Sequence, residues 1–201
     1  MDHIVQTART HSYVELEARV GSRQPKGGYT PGISAAMHDS ICDVLNTFHE
    51  WEATYEHSRH DFFYPQGRLS VRPSDTQPEC VAKVSRAVFD TEIKEFHVRV
   101  ACASEVPVDP KDLSDQPTFV RVKHIRSWKT RSGWRYDLSR VTTGANLTEA
   151  QQRRNLNQTT YEFEIELEEV DAYLNKHSNQ YVASSMRLKL EDILDAVQRP
   201  P

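Results

Sequence analysis

Alternation of apolar and polar residues with a period of two recurs along this chain of 201 residues. In "SYVELEARVG", residues 12–21, Val14, Leu16, Ala18 and Val20 alternate with Glu15, Glu17 and Arg19. Successive side chains point to opposite faces of a strand, so the two sets separate onto two faces. Similar stretches, bounded by Gly, Pro, Asp and Ser clusters, predict strands at residues 61–66, 67–72, 80–89, 95–106, 118–128, 133–141 and 159–170. A different period governs residues 33–56, where Ile33, Met37, Ile41, Leu45 and Phe48 form one helical stripe. The Gly- and Pro-rich residues 21–32 read as a loop, and residues 146–158 as a short polar helix or loop. Residues 182–201 read as a helix that ends before Pro200. Seven or eight antiparallel strands with a few helices predict an α+β domain built on a barrel or a strongly curved sheet.

The polar faces carry the candidate chemistry. In "YEFEIELE" Glu162, Glu164, Glu166 and Glu168 share one face, opposite Tyr161, Phe163, Ile165 and Leu167. Like charges along one face repel, so such a row requires compensation. If the first and last strands are neighbours, their carboxylates converge, and oxygen ligands in that number suit a hard cation such as Mg²⁺ or Mn²⁺. Two solvated edge strands are the other reading, and the pattern alone leaves both open. Other strands supply cations by the same parity: Arg68 and Arg72 with Ser70, Lys83, Arg99 with Glu105, Arg121 with Lys123, and Arg135 with Asp137 and Ser139. An interior lined in this way is costly in desolvation unless its charges pair and bind something. Acidic strands facing basic ones would hold a metal ion and a polyphosphate between them.

Composition narrows the classes. A length of 201 residues suits one domain, spanning 1–201, with a substantial core. The formal charge of -4 argues against capture of nucleic acid by a broadly basic surface. Three cysteines without metal-ligand spacing predict free thiols in a reducing compartment, and nine histidines include no zinc-like pair. With no secretory pattern and no apolar run near ~18 residues, the expectation is a soluble intracellular protein without a membrane partner.

At this point the motifs become recognisable. "VELEARVG", "FHVRVACASEVPV", "RVKHIRSW", "YDLSRV" and "YEFEIELE", in this order, resemble the tunnel-type, metal-dependent triphosphatases, and above all the RNA 5′-triphosphatases that begin mRNA capping in fungi and protozoa. The resemblance runs from about residue 12 to residue 168. It implies an eight-stranded antiparallel barrel that encloses a hydrophilic tunnel, with flanking helices. It further implies that Glu15, Glu17 and Glu166, with Glu164 nearby, bind Mg²⁺ or Mn²⁺, and that Glu105 orients the attacking water. Arg121 and Lys123 would grip the γ-phosphate with Arg99 assisting, and Lys83 and Arg68 or Arg72 would fill other basic positions. Asp137 and Ser139 would tether basic side chains, and Glu162 is the remaining matching glutamate. Where the family has Arg-x-Lys-x-Arg, this chain has Ile125 in the last place, so Arg126 joins the phosphate-binding set only if a bulge re-aims it.

The implied substrate is the 5′-triphosphate end of nascent RNA, with nucleoside triphosphates as further substrates. A guanylyltransferase would act next, and the location would be the nucleus. Three alternatives compete: a hydrolase of inorganic or thiamine triphosphate on the same fold, a non-catalytic polyphosphate-binding module, and a structural barrel with solvated charges. The small-substrate relatives usually carry Lys where this chain has Arg19, which favours the capping reading.

Overall fold

The computed structural model describes residues 1–23, 28–73 and 77–198. In chain order the elements are α1 (Asp2–Ala8), β1 (Val14–Arg23), β2 (Tyr29–Pro31), α2 (Ala35–Thr47), β3 (Ala53–Phe63), β4 (Arg68–Val71) and β5 (Glu79–Ile93). After these come β6 (Phe96–Pro107), a 3₁₀ turn (Pro110–Asp112), β7 (Phe119–Lys129), β8 (Trp134–Gly144), α3 (Leu147–Asn155), β9 (Thr160–Leu167), α4 (Val170–Lys176) and α5 (Asn179–Gln198). Residues 24–27 of the expected loop and 199–201 of the expected tail lie outside the described residues.

Every pairing is antiparallel, in the order β2-β1-β6-β5-β4-β3-β7-β8-β9, and β9 pairs back onto β1. Eight strands therefore close into a barrel, and β2 is an additional strand on β1 beyond the end of β9. Closure brings the two glutamate strands side by side, with Glu17 directly opposite Glu166 and Arg19 opposite Glu164. Parity then carries one face of every strand inward. The outward faces bury Leu16, Ala18, Val98, Val100, Leu138, Phe163 and Ile165 beneath the helices.

Helix α5 supplies most of that cover, burying Val182, Met186, Leu190, Ile193 and Leu194. Ser34 caps α2 by accepting from the Met37 amide at 3.1 Å, and Ile41 and Leu45 complete the same layer. Trp128 and Trp134 belong to this outer core, at 1% and 0% exposure, which leaves neither ring free to stack on a base.

Two elements differ from the sequence reading. The helical stripe stops at Thr47, Phe48 is extended, and β3 begins at Ala53 inside the predicted helix. Residues 53–60 are polar on both faces, so no apolar alternation marks a strand there, and Phe48 extends the helical spacing by coincidence. Strand β2 arises within the predicted loop because Tyr29–Pro31 fold back closely on Gly21. A Cβ at Gly21 would lie 2.2 Å from the Thr30 carbonyl oxygen and 2.6 Å from the Tyr29 ring, so only glycine permits this approach.

Leu190 is fully buried at the helix–barrel contact. Leu190→Ala should lower unfolding free energy by about 2–5 kcal/mol, read as a reduced urea midpoint with an unchanged slope.

Candidate active site

The barrel interior is a continuous ionic network whose character changes along its length. At one end lie Glu15 and Glu17 from β1, Glu105 from β6 and Glu166 from β9. Glu15, Glu105 and Glu166 open onto a cavity of about 750 Å³ that is also lined by Lys129, Arg135 and Glu168. Lys83 of β5 sits among three of these carboxylates. It pairs with Glu15 and lies 3.7 Å from Glu17 and 3.8 Å from Glu105. Arg68 of β4 donates to Glu105 at 3.1 Å. Arg135 of β8 donates to Glu166 at 2.5 Å and also contacts Asp137 and Glu168, both at 3.0 Å.

Toward the other end the network becomes basic. Arg19 donates to Glu17 at 2.8 Å and lies 3.3 Å from Glu164. Arg121 pairs with Glu162, and Lys123, at 3% exposure, lies 3.3 Å from Glu162 and 3.7 Å from Glu164. Arg99 is held by Asp90 through two hydrogen bonds of 2.7 and 2.8 Å, and its guanidinium lies 4.5 Å from the centre of the Tyr29 ring.

Proton affinities follow the same division. Burial raises Glu17, and its neighbours Glu15 and Glu164 add to the effect against Arg19 and Lys83. Burial likewise raises Glu105, and it pushes Glu166 up to about 8 despite Arg135. Glu164 goes the other way: burial raises it, but Arg19, Lys123 and Arg121 together more than offset this and hold it below the usual carboxylate range. At one end burial and neighbouring carboxylates thus disfavour the charged form, and at the other a cluster of cations holds Glu164 ionised.

The hard oxygen donors Glu15, Glu17 and Glu166, whose crowded negative charge a cation would offset, fit a divalent cation such as Mg²⁺ or Mn²⁺. No three acidic, histidine or cysteine side chains among the described residues are gathered into a ready-made metal cage. Lys83 supplies the positive charge among Glu15, Glu17 and Glu105 instead. Glu164 stands apart from this group, engaged by Arg19 and Lys123.

The other expected residues divide. Asp137 is a tether, accepting from Arg135 Nε and from Ser127 Oγ at 2.7 Å. Ser139 is buried but its Oγ has no partner, so it tethers no basic side chain. Arg72 lies exposed beyond β4, and its charge acts on His57. Arg126 requires a correction. The β3–β7 and β7–β8 registers run without a bulge through Ile125 and Arg126, so Ile125 faces inward and Arg126 outward. There Arg126 lies 3.3 Å from Glu56 and over the Trp128 ring, and it takes no part in the tunnel. All three cysteines are free thiols.

Sequence reasoning missed three interior groups. Asp61 of β3, 1% exposed, holds Arg59 at 2.9 Å and accepts from Ser70 at 2.7 Å. It stands first in the expected strand 61–66, but residues 57–60 before it show no apolar alternation that would mark a longer strand. Asp90 and Tyr29 come from the far end of β5 and from the segment read as loop.

No protein-family model and no curated protein matches the chain. Solved structures do. The S. pombe Pct1 RNA triphosphatase superposes with a TM-score of 0.74 at 19% identity, covering 98% of this chain and 88% of that one. Pct1 in complex with the Spt5 CTD gives 0.72 at 18% identity, again over 98% and 88%. The Mimivirus capping enzyme triphosphatase gives 0.65 at 12% identity, covering 98% of this chain and 95% of that one.

Breaking the Asp61 pair leaves a charge uncompensated. Asp61→Asn should cost about 3 kcal/mol in urea unfolding, whereas Ser139→Ala, which removes an unpartnered hydroxyl, should change stability by less than about 0.5 kcal/mol. In architecture, this chain is a closed eight-stranded barrel with the tunnel fold of the RNA triphosphatases.

Proposed function

We propose that the protein is a divalent-cation-dependent RNA 5′-triphosphatase that hydrolyses the β–γ anhydride of triphosphate-ended RNA to a diphosphate end and phosphate. The observation that carries this reading is the polarity of the tunnel. A crowd of carboxylates at Glu15, Glu17, Glu105 and Glu166, whose charge is disfavoured by burial and by their neighbours, adjoins a cluster of cations at Arg19, Arg121 and Lys123. A polyphosphate carried with a divalent cation is complementary to both halves. The fold shared with capping-type triphosphatases supports the choice of substrate class.

Glu15, Glu17 and Glu166 would hold Mg²⁺ or Mn²⁺, which when bound supplies Lewis-acid withdrawal of charge from the γ-phosphate oxygens. The protein's own groups do the rest. Arg121 and Lys123 are held in place by Glu162 before substrate arrives, so they meet the γ-phosphate without reorganising. Arg99, anchored by Asp90, and Lys83 extend the cationic lining. Glu105, oriented by Arg68, positions a water and takes its proton. The water oxygen bonds to the γ-phosphorus, the bond from that phosphorus to the bridging oxygen breaks, and the diphosphate end leaves with the electron pair. Phosphoryl transfer asks chiefly for this positioning and charge neutralisation, and it needs no covalent intermediate. In this reading nucleoside triphosphates are secondary substrates, a guanylyltransferase consumes the diphosphate end, and the protein acts in the nucleus.

The test is phosphate release from γ-labelled triphosphate RNA with Mg²⁺, Mn²⁺ or chelator, with tripolyphosphate as competitor. Glu17→Gln, Glu105→Gln and Lys123→Met should each lose on the order of 10²-fold or more in rate, and Arg126→Ala should match wild type. Release from tripolyphosphate alone would reassign the protein to small substrates, and no release from folded protein would end the hydrolase reading. Independently of turnover, Mn²⁺ should raise the melting temperature of wild type, and this shift should vanish in Glu17→Gln and Glu166→Gln.

A further inference from the structure

Strand β2 is not needed to close the barrel, yet it places an aromatic side chain in the tunnel. Gly21 continues the inward parity of Glu15, Glu17 and Arg19, and the Tyr29 ring lies against it, at 2.6 Å from where a Cβ would stand. The Arg99 guanidinium covers the ring at 4.5 Å, and Arg99 is itself fixed by Asp90. The ring also lines an outer groove of about 570 Å³ shared with Gly28, Asp90 and His97. The hydroxyl, by contrast, is shielded from solvent and has no hydrogen-bond partner among the described residues. The charges that act on the phenol are those of Arg19, Glu164, Arg99 and Glu162, the basic half of the network.

The neighbours of Tyr29 in this length of tunnel are ion-paired: Arg19 Nε lies 3.3 Å from Glu164 Oε1, and Lys123 Nζ lies 3.3 Å from Glu162 Oε2. Among these groups the Tyr29 hydroxyl is the donor left without a partner. Buried donors left unmade are costly, and proteins retain them where a ligand completes them.

We propose that Tyr29 is a substrate-binding residue that ends the tunnel. Its hydroxyl donates to an oxygen of the terminal phosphate, beside Arg19 and Lys123, and its ring bars passage into the outer groove. The proposal rests on the reading of the tunnel as a polyphosphate site. It assigns a length limit to the substrate, because the polyphosphate enters from the carboxylate end and its terminal phosphate abuts the phenol. In this arrangement a longer linear polyphosphate is stopped.

Calorimetric titration of the full chain with tripolyphosphate and Mg²⁺ tests the contact without requiring turnover. Tyr29→Phe, which keeps the ring against Gly21 and Arg99, should weaken binding on the order of tenfold with an unchanged melting temperature. Tyr29→Ala should shift preference toward a linear polyphosphate of about fifteen units, since the stop is gone. Wild-type affinity in Tyr29→Phe, an unaltered length preference in Tyr29→Ala, or no tripolyphosphate binding by wild type would overturn the proposal. If binding depends on Tyr29 while no phosphate is released from any triphosphate, the hydrolase reading fails and the role of Tyr29 stands.

Discussion

The structure depends on one electrostatic constraint: charges enclosed by a barrel must be neutralised inside it. Moving a carboxylate or a guanidinium out of water costs several kcal/mol per ion even after relaxation, and a well-placed partner recovers much of that. The interior of this protein is arranged accordingly. Glu162 faces Arg121 and Lys123, Arg135 gathers Glu166, Glu168 and Asp137, and Asp61 binds Arg59. Most of these pairs join side chains from adjacent or facing strands. The rest, Arg59 with Asp61 and Arg135 with Asp137, join inward neighbours two residues apart on one strand, so strand register and charge placement are one property. A slip of one residue in β9 would send its glutamates into the helices and Phe163 and Ile165 into the tunnel.

The apolar jacket is the complement of that constraint. An ionic interior contributes little net stability, so the favourable term must come from the outer faces. There α5, α2 and α1 cover the apolar rows of β1, β6, β8 and β9. The usual arrangement of a small barrel, apolar within and polar without, is inverted. The inversion provides an interior in which charges are held rigidly and partly away from water, where electrostatic effects on a bound anion are strongest.

Much of this was legible in the sequence because strand parity is strict. Counting by twos put Glu15 with Glu17, Arg121 with Lys123 and the β9 glutamates each on one face, and set Arg126 on the opposite face from Lys123. That the charged face turns inward came from the resemblance and from barrel closure, because parity alone does not tell inside from outside. What parity does not carry is the partner of each group. Nothing local shows that Lys83 settles among Glu15, Glu17 and Glu105, or that Ser139 finds no partner, because those facts depend on strands far apart in the chain. Asp61 opened the expected strand 61–66, but its inward role was obscured because residues 53–60 before it have no apolar face to show that the strand continues. Tyr29 was obscured because a three-residue strand beside glycines and prolines has the composition of a loop.

Strand β4 is short, and this gives the wall an uneven stiffness. It pairs with β3 over four residues and with β5 over three. Among the described residues, β5 from Ala82 to Ile93 has only β6 as a ladder partner, and β3 from Ala53 to Arg59 has only β7. Most of the circumference is laced by ladders on both sides, whereas along this seam the backbone bonds are confined to β4, where Asp61 also binds Ser70 and Arg68 reaches Glu105. In mechanical terms the barrel is a sleeve with a single stitched seam. Its amides there exchange with solvent through small local openings, while those of β1, β8 and β9 wait for the whole fold to open. The sleeve widens along the seam first, without disturbing the two strands that carry the paired glutamates.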